Sequence, residues 1–261
     1  MSTDQKTIDW YNQNAEEYTS HVRDGGDSIY HSLYEKPAMY KLLPDLKGKR
    51  VLSLGCGSGE DSHYLKQQGA KSSVGIDISE ELIKIAQQSY PECEFQTMDM
   101  EKLSFEDDSF DFVFASLALH YIEDWTRVMS EVYRVLKPAA YFLFSCNHPV
   151  HFALETIKDD EEGYIKQLSI TKDKKNKIST VVGNYLNRQK IEGGESLAVT
   201  TWKKPIGEIV KESTSAGFLV ADIVEPQPSE TMKERSLRTY QTLQKIPYFV
   251  ILKLYKPGIV E

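Results

Sequence analysis

The sequence predicts an α/β protein whose parallel sheet is covered by helices on both faces. Apolar, strand-like runs alternate with helical runs from residue 50 to residue 146. The first strand ends in a glycine-rich turn that opens a helix, which is typical of the ligand site of a doubly wound sheet. With 261 residues and 40% hydrophobic content, the chain is long enough to bury one large core.

Composition narrows the function classes. The chain has 31 basic and 39 acidic residues, a net charge of −8, which argues against nucleic acid or an anionic membrane as a partner. The three cysteines have neither paired nor metal-ligand spacing, and no apolar run approaches the ~20 residues of a membrane span. Residues 1–6 lack the apolar core of a signal peptide. We therefore expect a cytoplasmic protein.

The glycine-rich turn lies in residues 51–59, VLSLGCGSG, and has glycine at three alternate positions. Glycine has no Cβ, so its backbone can adopt positive φ and lie directly against a ligand. A dinucleotide fingerprint would require a further glycine where Glu60 stands. Glu60 and Asp61 would repel an anion, so the turn favours a zwitterionic or cationic ligand.

Two carboxylates follow the next strands of the predicted sheet. Asp77 ends the buried run VGID and is placed to accept both hydroxyls of a ribose. It could instead cap the helix that follows, although Ser79 fills that role better. Residues 93–97 form a plausible third strand, and Asp99 comes shortly after it.

A fourth strand is predicted at 112–115, and residues 116–125, SLALHYIEDW, follow it. The glycine-rich turn, the two carboxylates and this segment together resemble the motifs of class I S-adenosylmethionine-dependent methyltransferases, in particular the small-molecule, type 11-like members. The resemblance covers residues 48–146 by motif and about 205–257 by pattern. It implies a Rossmann-like methyltransferase fold: a doubly wound, mostly parallel seven-stranded sheet. Strands at 217–224 and 248–255 would close the sheet with one antiparallel member.

The resemblance also implies S-adenosylmethionine as cofactor and assigns roles to side chains. Asp99 would bind the adenine amino group, and the backbone N–H of Met100 would reach the ring. The implied cofactor-binding residues are Tyr11, Tyr18, Leu54, Gly55, Cys56, Gly57, Gly59, Asp77, Ile78, Asp99, Met100, Ser116, Leu117 and Tyr121.

We divide the chain into an N-terminal helical cap (1–47), the cofactor-binding core (48–146), a substrate-binding insertion (147–204) and the C-terminal part of the core sheet (205–261). In the cap, Tyr11 and Tyr18 share one helical face. Such a stripe is most often core packing, but in the family this helix caps the cofactor and its tyrosines reach the sulfonium.

We expect the insertion to hold the methyl acceptor, and its strand pattern predicts how it folds. Residues 179–185 and 197–202 flank the turn signal Glu192-Gly193-Gly194, which predicts a hairpin. The lysine-rich run 172–177 is most simply a solvated loop.

The corner after the fourth strand departs from the family. A helix over 124–137 is expected to end at Pro138 and to feed a strand at 140–145. The corner reads Lys-Pro-Ala-Ala where the family usually has Lys-Pro-Gly-Gly, so any backbone strain must be absent or relieved elsewhere.

Two histidines are candidate general bases. His120 follows the fourth strand, where methyl transfer occurs in the family, and His148 follows the fifth. A histidine at a strand end is as often a structural hydrogen-bonding residue. The spacing of His148 and His151 also suggests a metal site, which we reject because no Cys, Asp or Glu stands at ligand spacing.

The sequence thus predicts a methyltransferase that transfers a methyl group to a small metabolite by direct displacement, with no nucleic-acid or membrane partner. The accepting atom and the oligomeric state stay open. One alternative is an NAD(P)-dependent oxidoreductase, because Tyr133 and Lys137 match a Tyr-x-x-x-Lys pair, although the helix and the glycine spacing argue against it. Another is a non-catalytic module that binds S-adenosylmethionine.

Overall fold

The computed structural model describes residues 3–23, 29–159, 163–173, 175, 178–193 and 198–258. Its strands are β1 (Arg50–Leu54), β2 (Ser72–Asp77), β3 (Glu94–Thr97), β4 (Phe110–Ala115), β5 (Leu136–Asn147), β6 (Glu155–Asp159), β7 (Gly163–Gln167), β8 (Ser169–Asp173), β9 (Ile178–Val182), β10 (Gln189–Glu192), β11 (Thr200–Lys203), β12 (Leu219–Val224) and β13 (Phe249–Tyr255).

The α-helices are α1 (Gln5–Gln13), α2 (Ala15–Arg23), α3 (Lys36–Lys41), α4 (Glu60–Gln67), α5 (Glu80–Ser89), α6 (Thr126–Val135), α7 (Pro149–Ala153), α8 (Ile206–Thr214), α9 (Glu230–Arg235) and α10 (Leu237–Leu243). A π-helical turn, His31–Glu35, leads into α3, and a 3₁₀ turn, Leu119–Tyr121, follows β4.

Seven strands form one sheet in the order β12-β13-β5-β4-β1-β2-β3. The strands β1 to β5 are parallel, with Leu52 of β1 opposite Val74 of β2 and Val113 of β4. β13 runs antiparallel to both β5 and β12. The predicted fold, a mostly parallel seven-stranded sheet closed by one antiparallel strand, is confirmed.

Burial on both faces of the sheet explains why the central strands are mostly apolar. Strands covered on both faces need apolar side chains on both, so Val51, Leu52 and Leu54 of β1 are all fully buried. Large aromatic side chains on β4 and β5, such as Phe114 and Phe144, fill the space between the sheet and its helices. The reversal of strand order between β1 and β4 leaves a crevice at the carboxyl ends of these strands.

The corner between α6 and β5 differs from the prediction. The helix ends at Val135, and the strand begins at Leu136, so Pro138 lies inside the strand. Ala139 has a φ of 59°, and its N–H donates to the carbonyl of Lys256 at 2.9 Å. The left-handed conformation that glycine would adopt without cost is therefore kept by an alanine, whose N–H is hydrogen-bonded to the segment that follows β13.

The insertion contains α7 and three antiparallel hairpins, β6–β7, β8–β9 and β10–β11. The predicted hairpin had the wrong partner: β11 pairs with β10, whereas residues 179–182 pair with β8, which is closer along the chain. Lys172 lies in β8 rather than in a loop. The predicted turn residue Gly194 lies outside the described residues.

Buried charges attach the insertion to the core. Lys204 Nζ lies 2.5 Å from a carboxylate oxygen of Glu212 on α8 and 4.1 Å from the ring centre of Trp125. Arg188 bonds to the same carboxylate and to Glu208. Burial lowers the pKa of Lys204 to about 8. The hairpin β10–β11 is thus fixed to the start of α6, and β11 packs against the 3₁₀ turn.

Within the described part of the chain, no helix is long and apolar enough to cross a membrane.

Candidate active site

A cavity of about 580 Å³ lies at the carboxyl ends of the central strands, beneath α1 and α2. This volume is in the range of small-molecule sites. Eleven residues singled out from the sequence line it: Tyr11, Tyr18, Gly55, Gly57, Asp77, Ile78, Met100, Ser116, Leu117, His120 and Tyr121. The cavity therefore joins the cap, the glycine-rich turn and the segment after β4.

The glycine-rich turn needs glycine at both of its cavity positions. Gly55 has a φ of +59°, and a Cβ added there would lie 2.5 Å from the Cβ of Ala118. Gly57 has a φ of +55° and lies under the ring of Tyr18, whose Cε1 would be 3.5 Å from an added Cβ. The backbone of the turn is thus open to the cavity and cannot carry side chains without strain.

Asp77 is held in place by backbone donors on both sides. Its Oδ2 accepts from Gly57 N and its Oδ1 from Ser79 N, each at 2.9 Å. Burial raises the pKa of the carboxyl. Ser79, and not Asp77, caps α5 by accepting from Leu82 N, so each Asp77 oxygen keeps a lone pair for a ligand hydroxyl.

Three tyrosines form the roof of this end of the cavity. The hydroxyls of Tyr11 and Tyr121 are 2.5 Å apart, and the Tyr11 ring meets the Tyr18 ring edge-on at 5.3 Å. Burial raises the pKa of all three phenols, which keeps them neutral. Neutral aromatic rings suit a cation that must leave water.

The cap is fastened to the glycine-rich turn by polar contacts. Arg23 on α2 bonds to Glu60 at 2.6 Å and to the carbonyl of Ser58 at 3.3 Å. Asp61 pairs with Lys36 at 3.1 Å. Neither carboxylate lines the cavity. Both carboxylates therefore lie beside the cavity rather than in its lining, each paired with a basic side chain of the cap.

Other predicted cofactor residues do not line the cavity. Leu54 is a core residue, and Cys56 is buried, with its N–H donating to the Ile76 carbonyl. An added Cβ on Gly59 would lie 2.8 Å from Phe95, so this glycine permits close packing against α5 and β3. Asp99 accepts from the N–H of Glu101, two residues on.

His148, the second predicted base, is also not brought to the cavity. Its Nδ1 accepts from Val150 N and so caps α7, and its Nε2 lies 3.1 Å from Glu225. Both ring nitrogens are therefore engaged by structural partners. No group of three or more histidine, cysteine, aspartate or glutamate side chains that could hold a metal ion occurs among the residues with assigned positions.

The other end of the cavity contains histidines. His120 is 5% exposed, and its Nδ1 has no hydrogen-bond partner within the described ranges. Burial lowers the pKa of His120 to about 3 and that of His31 to about 4. Both imidazoles are therefore neutral near pH 7. Asn147 and Phe249 line the same region.

Several other residues also line the cavity. Trp10 and Asn14 belong to the same cap segment as the predicted tyrosines, and their position follows from the spacing of that segment. His31 and Phe249 carried no motif, because they reach the cavity only through the packing of the π-helical turn and β13.

The dehydrogenase alternative has no structural basis. The ring of Tyr133 packs edge-on against Phe218 at 5.0 Å, and Lys137 pairs with Asp111 at 2.6 Å. Neither residue lines the cavity.

Comparison with known proteins identifies the family of the chain. A family model described as "Methyltransferase domain" matches residues 52–144. A crystal structure of an S-adenosylmethionine-dependent methyltransferase from Mesorhizobium loti is 26% identical, with 85% of this chain and 97% of that chain covered and a TM-score of 0.71. The chain is a class I S-adenosylmethionine-dependent methyltransferase.

Two further relatives extend the comparison. The structure of a putative S-adenosylmethionine-dependent methyltransferase from Listeria monocytogenes is 28% identical to this chain, with a TM-score of 0.71. The match covers 86% of this chain and 97% of the Listeria chain. A phthiotriol/phenolphthiotriol dimycocerosates methyltransferase from Mycobacterium ulcerans is 33% identical over 154 residues. That match covers 58% of this chain and 56% of the Mycobacterium ulcerans protein.

The cofactor of the methyltransferase is S-adenosylmethionine, and the cavity fits it. Gly55 and Gly57 offer a backbone cradle, Asp77 offers acceptors for hydroxyls, and the tyrosines offer neutral aromatic surface. When bound, the cofactor supplies a methyl group on a positively charged sulfur. The protein contributes positioning and exclusion of water, which together can account for several kcal/mol of a displacement barrier.

Proposed function

We propose that the methyltransferase transfers a methyl group to a hydroxyl of a small, uncharged and partly apolar metabolite. In this proposal, cofactor binds between the glycine-rich turn, Asp77 and the tyrosine roof, and the acceptor binds at the histidine end. Three free cysteines among the described residues favour a reducing, cytoplasmic location.

The observation that carries the proposal is the neutrality of the histidine end. His120 and His31 are uncharged near pH 7, and no lysine or arginine is found among the described residues that line the cavity. An anionic acceptor would have no cationic partner there. Among the described lining residues, Glu17 is the one carboxylate besides Asp77, and it is exposed on α2, so a buried ammonium group would also be poorly compensated.

His120 is the residue best placed to contact the acceptor. Its unpartnered Nδ1 can accept a hydrogen bond from an acceptor hydroxyl and hold one of the oxygen lone pairs toward the methyl group. Because burial depresses its pKa to about 3, His120 orients the hydroxyl rather than storing its proton. Phe249 and Leu117 supply apolar surface beside it.

The Mycobacterium ulcerans relative is named for phthiotriol, an alcohol by its name, which is consistent with oxygen as the accepting atom. The net charge of −8 supports the absence of nucleic acid among the substrates.

A screen of metabolite extracts with methyl-labelled S-adenosylmethionine, read by mass spectrometry, tests the proposal. We expect a labelled small molecule whose fragments place the label on oxygen. His120→Ala should lower its yield, whereas His63→Ala, a histidine on α4 outside the cavity, should not. Label on nitrogen, or in protein or nucleic acid, would contradict the proposed acceptor. Cofactor binding without consumption in any extract would instead favour the non-catalytic module.

A further inference from the structure

A buried carboxyl group lies directly behind the cavity wall. Glu35 is 0% exposed and ends the π-helical turn His31–Glu35. It is not a lining residue, but its Oε1 lies 3.0 Å from the hydroxyl oxygen of Ser116, which does line the cavity. A carboxyl group this deep needs a partner or a function, because burying an uncompensated charge is costly.

The sequence explains why the chain forms a π turn here. Pro37 has no N–H, so the carbonyl of Leu33 lacks its usual helical donor and accepts from Ser229 N at 3.2 Å instead. The N–H of Lys36 reaches back to the carbonyl of His31, five residues earlier. Such single π turns often occur at functional sites. This one turns Glu35 toward the sheet instead of toward solvent.

Only one carboxylate oxygen of Glu35 accepts hydrogen bonds from the described residues. Ser116 and Ser145 both donate to Oε1, at 3.0 and 2.5 Å. The Ser145 hydroxyl also accepts from the N–H of Leu117, which has a φ of 49°. The Oε2 atom is buried and has no partner among the residues that the structure describes. The carboxyl group therefore supports the segment after β4 through one oxygen only.

The surrounding charges do not neutralise Glu35. Burial and the nearby Asp61 raise the pKa of Glu35 to about 7, while Lys36 and the two serine hydroxyls lower it. Lys36 is itself paired with Asp61 at 3.1 Å. Helix α9 packs on the same turn and α10 packs on α9, and their buried Met232 and Tyr240 belong to the apolar cluster that contains Tyr34 of the turn. Glu35 thus ionises near neutral pH without a cation of its own.

We propose that Glu35 is the fixed counter-charge for the sulfonium of the cofactor, acting through the Ser116 hydroxyl, and that it selects the methylated cofactor over its demethylated product. The inference rests on the proposed placement of the cofactor beside Ser116. Methyl transfer converts the cationic sulfur into a neutral thioether, so the attraction exists before transfer and disappears after it. When Glu35 is protonated, cofactor binding releases that proton to the solvent, and product binding does not.

Affinities of S-adenosylmethionine and S-adenosylhomocysteine, measured by calorimetry between pH 6 and 8, test this role without any acceptor. The two ligands differ only at the methylated sulfur, so protein ionisations that do not sense the sulfur charge cancel in the ratio of their affinities. The sulfonium also lowers the pKa of the ligand's own amino group, and Glu35→Gln measures that contribution separately. We expect the ratio to rise by up to about tenfold as Glu35 ionises, since one pKa unit corresponds to a tenfold change. Sinefungin, which carries an ammonium near the sulfur position, should follow S-adenosylmethionine.

Glu35→Gln is the matched variant, because glutamine keeps an oxygen for both serine hydroxyls but cannot ionise. Its affinity ratio should lack the rise that Glu35 causes in the unmodified protein and should keep only the pH dependence of the ligands' own amino groups. A merely structural role of Glu35 would weaken both ligands equally and leave the ratio unchanged. Ser145→Ala removes one donor to the carboxylate and should move the inflection to higher pH.

Two outcomes overturn the inference, and they are distinguishable. A ratio that does not vary with pH in the unmodified protein, while Asp77→Ala weakens both ligands, rejects Glu35 as the counter-charge but keeps the site. Unchanged affinities in Asp77→Ala reject the placement of the cofactor itself. If Glu35→Gln does not fold, calorimetry of the unmodified protein in buffers of different ionisation enthalpy still decides, since proton release is expected only with S-adenosylmethionine.

Discussion

The two ends of the cavity are built differently. The cofactor end takes its shape from backbone: Gly55 and Gly57 have positive φ, and Asp77 is held by two peptide N–H groups. The histidine end takes its shape from side chains of distant segments, with His31, His120 and Phe249 meeting through packing. The cofactor end therefore tolerates almost no substitution of its glycines. At the histidine end, substitution of a lining side chain can change which ligand binds.

Gly55→Ala should have the largest effect, because its Cβ would lie 2.5 Å from Ala118 Cβ at a φ of +59°. We expect loss of detectable cofactor binding and a fall of about 2–4 kcal/mol in the free energy of unfolding, measured by calorimetry and urea denaturation. Gly48→Ala is the matched control, since Gly48 has a φ of +75° and open space around it. Equal losses in both variants would mean that backbone strain alone, and not the close approach, matters.

Asp77→Ala should weaken S-adenosylmethionine binding roughly 10- to 100-fold, because hydrogen bonds to a charged group are lost. Asp99→Ala provides the comparison, since Asp99 does not line the cavity and bonds to its own turn. We expect a smaller loss there, measured by the same titration. A larger loss for Asp99 would restore the role that the family resemblance assigns to it.

Acid should affect the two ends in opposite ways. His120 has a lowered pKa in the folded state, so unfolding takes up a proton between about pH 3 and 6.5, and stability falls as the pH falls through this window, by about 1.4 kcal/mol per unit. The raised pKa of Asp77 contributes stability at low pH that is lost as pH rises. The free energy of unfolding, measured by urea denaturation, should fall between pH 7 and pH 5. This fall should be about 2 kcal/mol smaller in His120→Gln than in the unmodified protein.

His63→Gln, a substitution on α4 outside the cavity, is the control for that measurement. If His120→Gln retains the full acid sensitivity, the buried imidazole is not the group that takes up the proton.

The smallest effect is expected on turnover. Once the labelled acceptor is in hand, His120→Ala should lower kcat/KM about tenfold and leave the affinity for S-adenosylmethionine unchanged, because only a hydrogen bond to the acceptor is removed. A weakened cofactor affinity in this variant would show that the two ends of the cavity are not separable.

The same contrast explains what the sequence could predict. The sheet, the glycine-rich turn and Asp77 follow from local patterns, since apolar runs and glycine spacing report directly on backbone. His31, Phe249 and Glu35 could not be found this way, because their positions depend on contacts between segments far apart in the chain. The partner of β11 was missed for a related reason: a β-branched run shows that a strand forms but not which strand it pairs with.

At Ala139, a local sequence pattern was not enough to predict the backbone conformation. Its left-handed backbone occurs together with a hydrogen bond to the Lys256 carbonyl after β13, a contact between distant segments that the residue type at the corner does not report. His148 likewise has a plausible type and position for a base, but the Glu225 side chain and the start of α7 engage both ring nitrogens.

The fastening of the cap has a kinetic consequence. α1 receives a hydrogen bond from the insertion, where Thr200 N donates to Thr7 Oγ1 at 3.0 Å, and α2 is held to the glycine-rich turn by Arg23. Lifting the cap away from the cavity would break both fastenings, so we expect the release of bound cofactor to be slow compared with that from an open cleft, which stopped-flow measurement of the dissociation rate would show.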